Sequence, residues 1–87
     1  MEKPKLLIGY ESMEMDTSAE TANLILAFSE ERRKLGVDKF IARHLEIISQ
    51  VFKVPLQQLK SIDFKSVVEK YLDCLEYVAR ELGKVGE

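Results

Sequence analysis

The sequence predicts a mainly α fold: a small bundle of three main helices plus one short helix, with an extended N-terminal arm. Three observations lead there. From residue 17 to residue 82, apolar side chains recur at steps of three and four, the spacing that lines one side of a helix. Caps and helix breakers separate these stripes by connections of a few residues, which favours antiparallel neighbours. Residues 5–15 instead alternate with a period of two, the pattern of an extended strand. The expected division is an arm over residues 1–16 and a helical domain over residues 17–87.

In the arm, Leu6, Ile8 and Tyr10 alternate with Leu7, Gly9 and Glu11, and Met13 and Met15 continue the pattern. No second strand-like run follows, and a lone strand leaves its backbone groups unsatisfied. The arm is therefore expected to pair with a second copy, to lie along the helices, or to stay mobile. Tyr10, Met13 and Met15 suit an adaptable contact surface, since methionine repacks easily. Packing over the helices is the simpler reading.

Thr17 and Glu20 have the spacing of a capping box and should open the first helix. Ala22, Leu24, Ile25, Leu26, Phe28 and Leu35 form its apolar side, and Arg32, Arg33 and Lys34 suit the negative end of its dipole. Gly36 is placed to end it in a left-handed conformation. Asp38 should cap a second helix over residues 39–52, carrying Phe40, Ile41, His44, Leu45, Ile48, Val51 and Phe52. Lys53-Val54-Pro55 breaks it, because proline disfavours helical geometry in the residue before it. Pro55 can itself start a short helix with Leu56, Leu59 and Ile62 on one side.

Asp63 should cap the last helix, with Ile62 and Val67 spaced as a hydrophobic staple. Its seam is Phe64, Val68, Tyr71, Leu75, Val78 and Leu82, widened by Val67, Leu72 and Ala79. Lys65 with Glu69, and Glu76 with Arg80, mark a solvated side. Gly83 is the expected stop. Burial is expected for Leu24, Phe28, Ile41, Leu45, Ile48, Phe52, Leu59, Val68, Leu75 and Val78.

With 87 residues the chain is one domain with a thin core, which favours recovery of the deficit by homo-oligomerisation. Thirteen Lys and Arg are mixed with fifteen Asp and Glu, for a net charge of -2. Nucleic-acid binding needs clustered positive charge, so no nucleic-acid partner is expected. Apolar runs such as 22–28 fall far short of a membrane span. Leu6-Leu7-Ile8 is too short for the core of a secretion signal. The single cysteine, Cys74, cannot form an intramolecular disulfide, and a cytoplasmic location is expected.

No catalytic, metal or cofactor site is expected. His44 is the only histidine and has no second ligand at metal-binding spacing, so a partly buried or interface role is the better reading. Cys74 lies beside Asp73 and near Glu76, which oppose thiolate formation. Glu11, Glu14, Asp16 and Glu20 gather at the start of the first helix, where acidic residues are favoured without any catalytic role. The four glycines make no phosphate-binding loop.

The run Phe40–Phe52, followed by Val54–Val68, resembles bacteriophage tail assembly chaperones. In that family an apolar helix ending near "Val-Phe" is followed by a short segment with two leucines and then an Asp-initiated helix. The likeness covers residues 38–82; the family start is usually longer and β-rich. It implies a non-enzymatic protein in the host cytoplasm that binds tail tube and tape-measure proteins before tail polymerisation. A client helix would then lie against Phe52, Leu56, Leu59, Tyr71 and Leu75, near the junction of the second and last helices, although ordinary core packing of all five is the simpler reading. The alternative is a small helical bacterial adaptor or regulator acting through protein contacts. Phe52-Lys53-Val54-Pro55 is also similar to a turn of acyl carrier proteins, but the Asp-Ser-Leu that bears their prosthetic group is missing.

Overall fold

The computed structural model describes residues 2–82. Two strands, β1 (Lys5–Ile8) and β2 (Glu11–Glu14), precede helices α1 (Ala19–Glu31), α2 (Val37–Phe52), α3 (Leu56–Leu59) and α4 (Phe64–Tyr77). A 3-10 turn, Arg32–Lys34, follows α1, and a π-helical turn, Val78–Leu82, follows α4. The mainly helical fold with three long helices and one short one agrees with the apolar spacing.

The arm is extended, but it is not a lone strand. It doubles back at Gly9 and Tyr10, and β1 pairs antiparallel with β2, Leu6 opposite Met13 and Ile8 opposite Glu11. Gly9 has φ 61°, and Tyr10 keeps a negative φ. A left-handed residue at the first of two loop positions is the II′ pattern, whose twist matches that of the flanking strands. Leu6 and Met15 enter the core, Ile8 and Met13 pack at its margin, and Tyr10 stands in solvent. The Asp16 amide donates to the carbonyl of Val51 at 2.9 Å, tying the hairpin to α2.

The helix caps differ from the expected ones. Ser18, rather than Thr17, caps α1, its hydroxyl accepting from the Thr21 amide at 3.2 Å. Gly36 is extended, with φ -72°, and precedes α2 instead of ending α1 in a left-handed turn. Leu35 is also extended and packs against the core, so two extended residues reverse the chain. Asp38 falls within the first turn of α2 and is not its cap. The left-handed residue is Lys53, at φ 55°, where α2 stops. There the Ser49 carbonyl accepts from the Val54 amide at 3.0 Å, and the Ser49 hydroxyl donates to the Val54 carbonyl at 2.6 Å. These bonds satisfy groups that the helix end would otherwise orphan. Asp63 occupies the cap position of α4 without a side-chain capping bond.

The core forms where α4 packs on both α1 and α2. Phe28, Ile48, Phe52, Leu59 and Val78 are buried as expected; Leu24, Leu45, Val68 and Leu75 are half-buried. Ile41 is 39% exposed, against expectation. The inward line of α2 runs through His44, Ile47, Ile48 and Val51, and Ile41 lies beside it. The buried line of α4 and the turn that follows it is Val67, Tyr71, Cys74, Tyr77 and Val78. It shares Val67, Tyr71 and Val78 with the expected seam but leaves Phe64, Val68 and Leu75 on its flank and Leu72 and Ala79 in solvent. Because α4 faces two helices at once, the face it buries is the one directed between them. The expected stop at Gly83 lies outside the described residues.

Candidate functional site

The five residues expected to border a client groove all lie at or near the core, and only one is open to solvent. Phe52 ends α2 and is buried; Leu59 on α3 and Tyr71 on α4 are fully buried. Leu75 is half-buried against the same cluster. Leu56, at the start of α3, is 39% exposed. Of the five, Leu56 and the outer part of Leu75 are within reach of a partner in this conformation.

Tyr71 belongs to an aromatic cluster that the sequence does not announce. His44 sits at its centre, its ring centroid 4.8 Å from that of Phe28, 4.2 Å from Phe40, 5.9 Å from Phe64 and 5.4 Å from Tyr71. The Arg32 Nε donates to His44 Nε2 at 3.1 Å, and His44 Nδ1 lies 2.8 Å from the Phe40 carbonyl oxygen. A guanidinium can only donate. Nε2 is therefore the acceptor, Nδ1 carries the proton, and the imidazole is neutral. Burial lowers its pKa, the Phe40 carbonyl raises it, and the Arg32 charge lowers it again. Arg32 also lies over the rings of Phe40 and Tyr71, at 5.4 and 5.2 Å, where the negative face of each ring favours a cation. His44 is thus enclosed in the core rather than partly buried.

The other chemically capable groups are equally committed. The Tyr71 hydroxyl donates to the Ile25 carbonyl at 2.7 Å, and burial pushes its pKa up to about 12. Cys74 is buried, and desolvation pushes its thiol up to about 12, with Lys70 opposing and Asp73 adding to the shift. A thiol in that state supplies almost no thiolate at neutral pH.

On the surface, Arg43 links α1 to α2. Its Nε donates to Glu31 at 2.7 Å and its Nη1 to Glu46 at 2.7 Å. The hydrogen bond from Arg43 holds the Glu31 carboxyl below its ordinary value. Asp16 accepts from the hydroxyls of Thr21 and Ser18, and those bonds lower its pKa. Together with Glu20, Leu24, Gln50 and Lys53, Asp16 and Thr21 line an open depression of about 380 Å³. Its two carboxylates and one ammonium define no single-sign site. Among the described residues no group of three or more His, Cys, Asp or Glu is placed to hold a metal, and no helix is long and apolar enough to cross a membrane.

Several apolar side chains do face water: Leu7 and Tyr10 on the hairpin, Leu26 on α1, Val37 and Ile41 on α2, Leu56 on α3 and Leu72 on α4. No family model, curated protein or solved structure matches this chain.

Proposed function

We propose that this chain acts by binding other proteins and not by catalysis, as a phage tail assembly chaperone working in the host cytoplasm. Its clients would be tail tube and tape-measure subunits, whose apolar surfaces it shields before the tail polymerises. The observation that carries this reading is a separation of chemical character. His44, Tyr71 and Cys74 are sealed in the core, whereas Leu7, Tyr10, Val37 and Leu56 lie in water. A buried, hydrogen-bonded group has no access to a substrate; an exposed apolar side chain gains by being covered. The hairpin ahead of the helices, two strands of four residues, departs from the longer β-rich start usual in the tail chaperones.

Within this reading a helical client docks at the α3 end of the molecule, with Leu56 as the accessible anchor. The four residues of α3 contain few backbone hydrogen bonds, so this element yields readily to a partner. Phe52, Leu59, Tyr71 and Leu75 then support the surface from beneath.

Co-expression with a tagged tape-measure fragment tests the proposal. Wild-type chain should be recovered with the fragment, and Leu56→Asp should be recovered several-fold less while keeping its circular dichroism spectrum. Recovery of neither protein would reject the chaperone reading. Equal recovery of both would move the client away from Leu56.

A further inference from the structure

We propose that β1 is a self-association edge: two copies join their β1 strands antiparallel about Leu7 and form one four-stranded sheet. This proposal does not depend on the identity of any client.

The backbone geometry sets the register. In a hairpin with a two-residue loop, the residues flanking the loop form a hydrogen-bonded pair, and bonded and non-bonded pairs alternate from there. Ile8 and Glu11 flank the loop here, and Leu6 faces Met13. Both of those pairs bond within the hairpin, so Lys5 and Leu7 direct their N–H and C=O groups away from β2. Among the described residues, no backbone hydrogen bond from outside the hairpin reaches residues 5–8. An open row of donors and acceptors is completed by another strand.

The pattern of side chains points to a second copy. A twofold antiparallel pairing aligns the outward groups when it is centred on Lys5, Leu6 or Leu7. Centring on Leu6 opposes two side chains that are already buried and sets each Leu7 against a lysine. Centring on Lys5 sets two ammonium groups directly opposite, an unfavourable pair. Centring on Leu7 opposes Leu7 to Leu7 and sets Lys5 opposite Gly9, which has no side chain. Leu7 is 72% exposed in the single copy, and this pairing covers it. On the core-facing side Leu6 then meets Ile8 of the second copy, extending the apolar face of the hairpin. The β2 edge is poorly suited by comparison, because it carries a carboxylate on each face, Glu11 on one and Glu14 on the other.

Cysteine cross-linking of the full chain tests the register. In a hydrogen-bonded antiparallel pair the Cα atoms lie about 5.5 Å apart, within disulfide reach. Mild oxidation of Leu7→Cys should therefore give a covalent dimer, whereas Ser12→Cys, on β2, should give no covalent product. Cys74 is buried and does not compete. In sedimentation equilibrium, Leu7→Lys should weaken the dimer about tenfold or more with unchanged circular dichroism. A wild-type chain that is strictly monomeric at about 1 mM would overturn the proposal. So would cross-linking at Ser12 as efficient as at Leu7, or a dimer indifferent to Leu7→Lys.

Discussion

The hydroxyl of Tyr71 donates to the backbone carbonyl of Ile25 at 2.7 Å, with both residues fully buried. This bond joins α4 to α1 in a place where water cannot substitute for either partner. Tyr71→Phe keeps the ring and deletes the donor, so it should destabilise the chain by about 1–2 kcal/mol. Urea denaturation reads this as a lower midpoint at unchanged slope. An unshifted midpoint would show that the bond contributes nothing net.

His44 should make stability depend on pH just below neutrality. Its folded pKa is lowered, chiefly by burial, from an ordinary value of 6.5. As pH falls, the unfolded chain therefore takes up the proton first. Stability is fully present above 6.5 and declines as pH drops from there toward the lowered folded value. Asp16 and Glu31, with ordinary values of 3.8 and 4.5, act only at lower pH. Denaturation at about pH 7.5 and about pH 5.5 should show the loss, and His44→Gln should remove most of the difference. A wild-type midpoint that does not change between the two would refute this role for His44.

Cys74 should be inert in the native protein. Its thiol is buried and pushed up to about 12, so a thiol reagent at neutral pH should label it only as fast as the chain opens. Added denaturant should make labelling immediate. Fast labelling without denaturant would mean that α4 leaves its neighbours far more often than a packed core element does.

Leu59 and Ile41 offer a paired test of packing. Leu59 has no exposed surface, whereas Ile41 is 39% exposed. Leu59→Ala should cost about 2–5 kcal/mol through lost burial and a residual cavity. Ile41→Ala should cost less than about 1 kcal/mol. Similar losses at both sites would mean that Ile41 is covered in solution.

Much of the helical order was legible because its signals are local. Pro55 disfavours helix at Val54, just past the end of α2, and admits α3 through its own ring, and the caps and apolar steps near it act within a turn or two. The hairpin was also legible in part. Gly9-Tyr10, a Gly-X loop between alternating apolar residues, is a II′ signal that a reading of residues 5–15 as one strand passes over. The caps at Ser18 and Gly36 were harder, because Thr17 and Asp38 offer the same local chemistry one or two positions away. Among the five groove residues, sequence spacing identified apolar positions but not which of them solvent reaches. Leu56 and Leu59 share one side of α3, yet one is exposed and the other sealed.

By itself, then, the sequence determined where the chain is helical and where it breaks, since hydrogen bonding within a helix and the restrictions of proline span only neighbouring residues. Tertiary structure alone decided which of two overlapping apolar lines on α4 is buried, because that depends on where α1 and α2 stand. It also decided the state of His44. Arg32 lies 12 positions away in sequence and Tyr71 on another helix, and only packing brings them against the imidazole. Long-range contact, rather than residue type, turns the lone histidine into a neutral acceptor at the centre of the core.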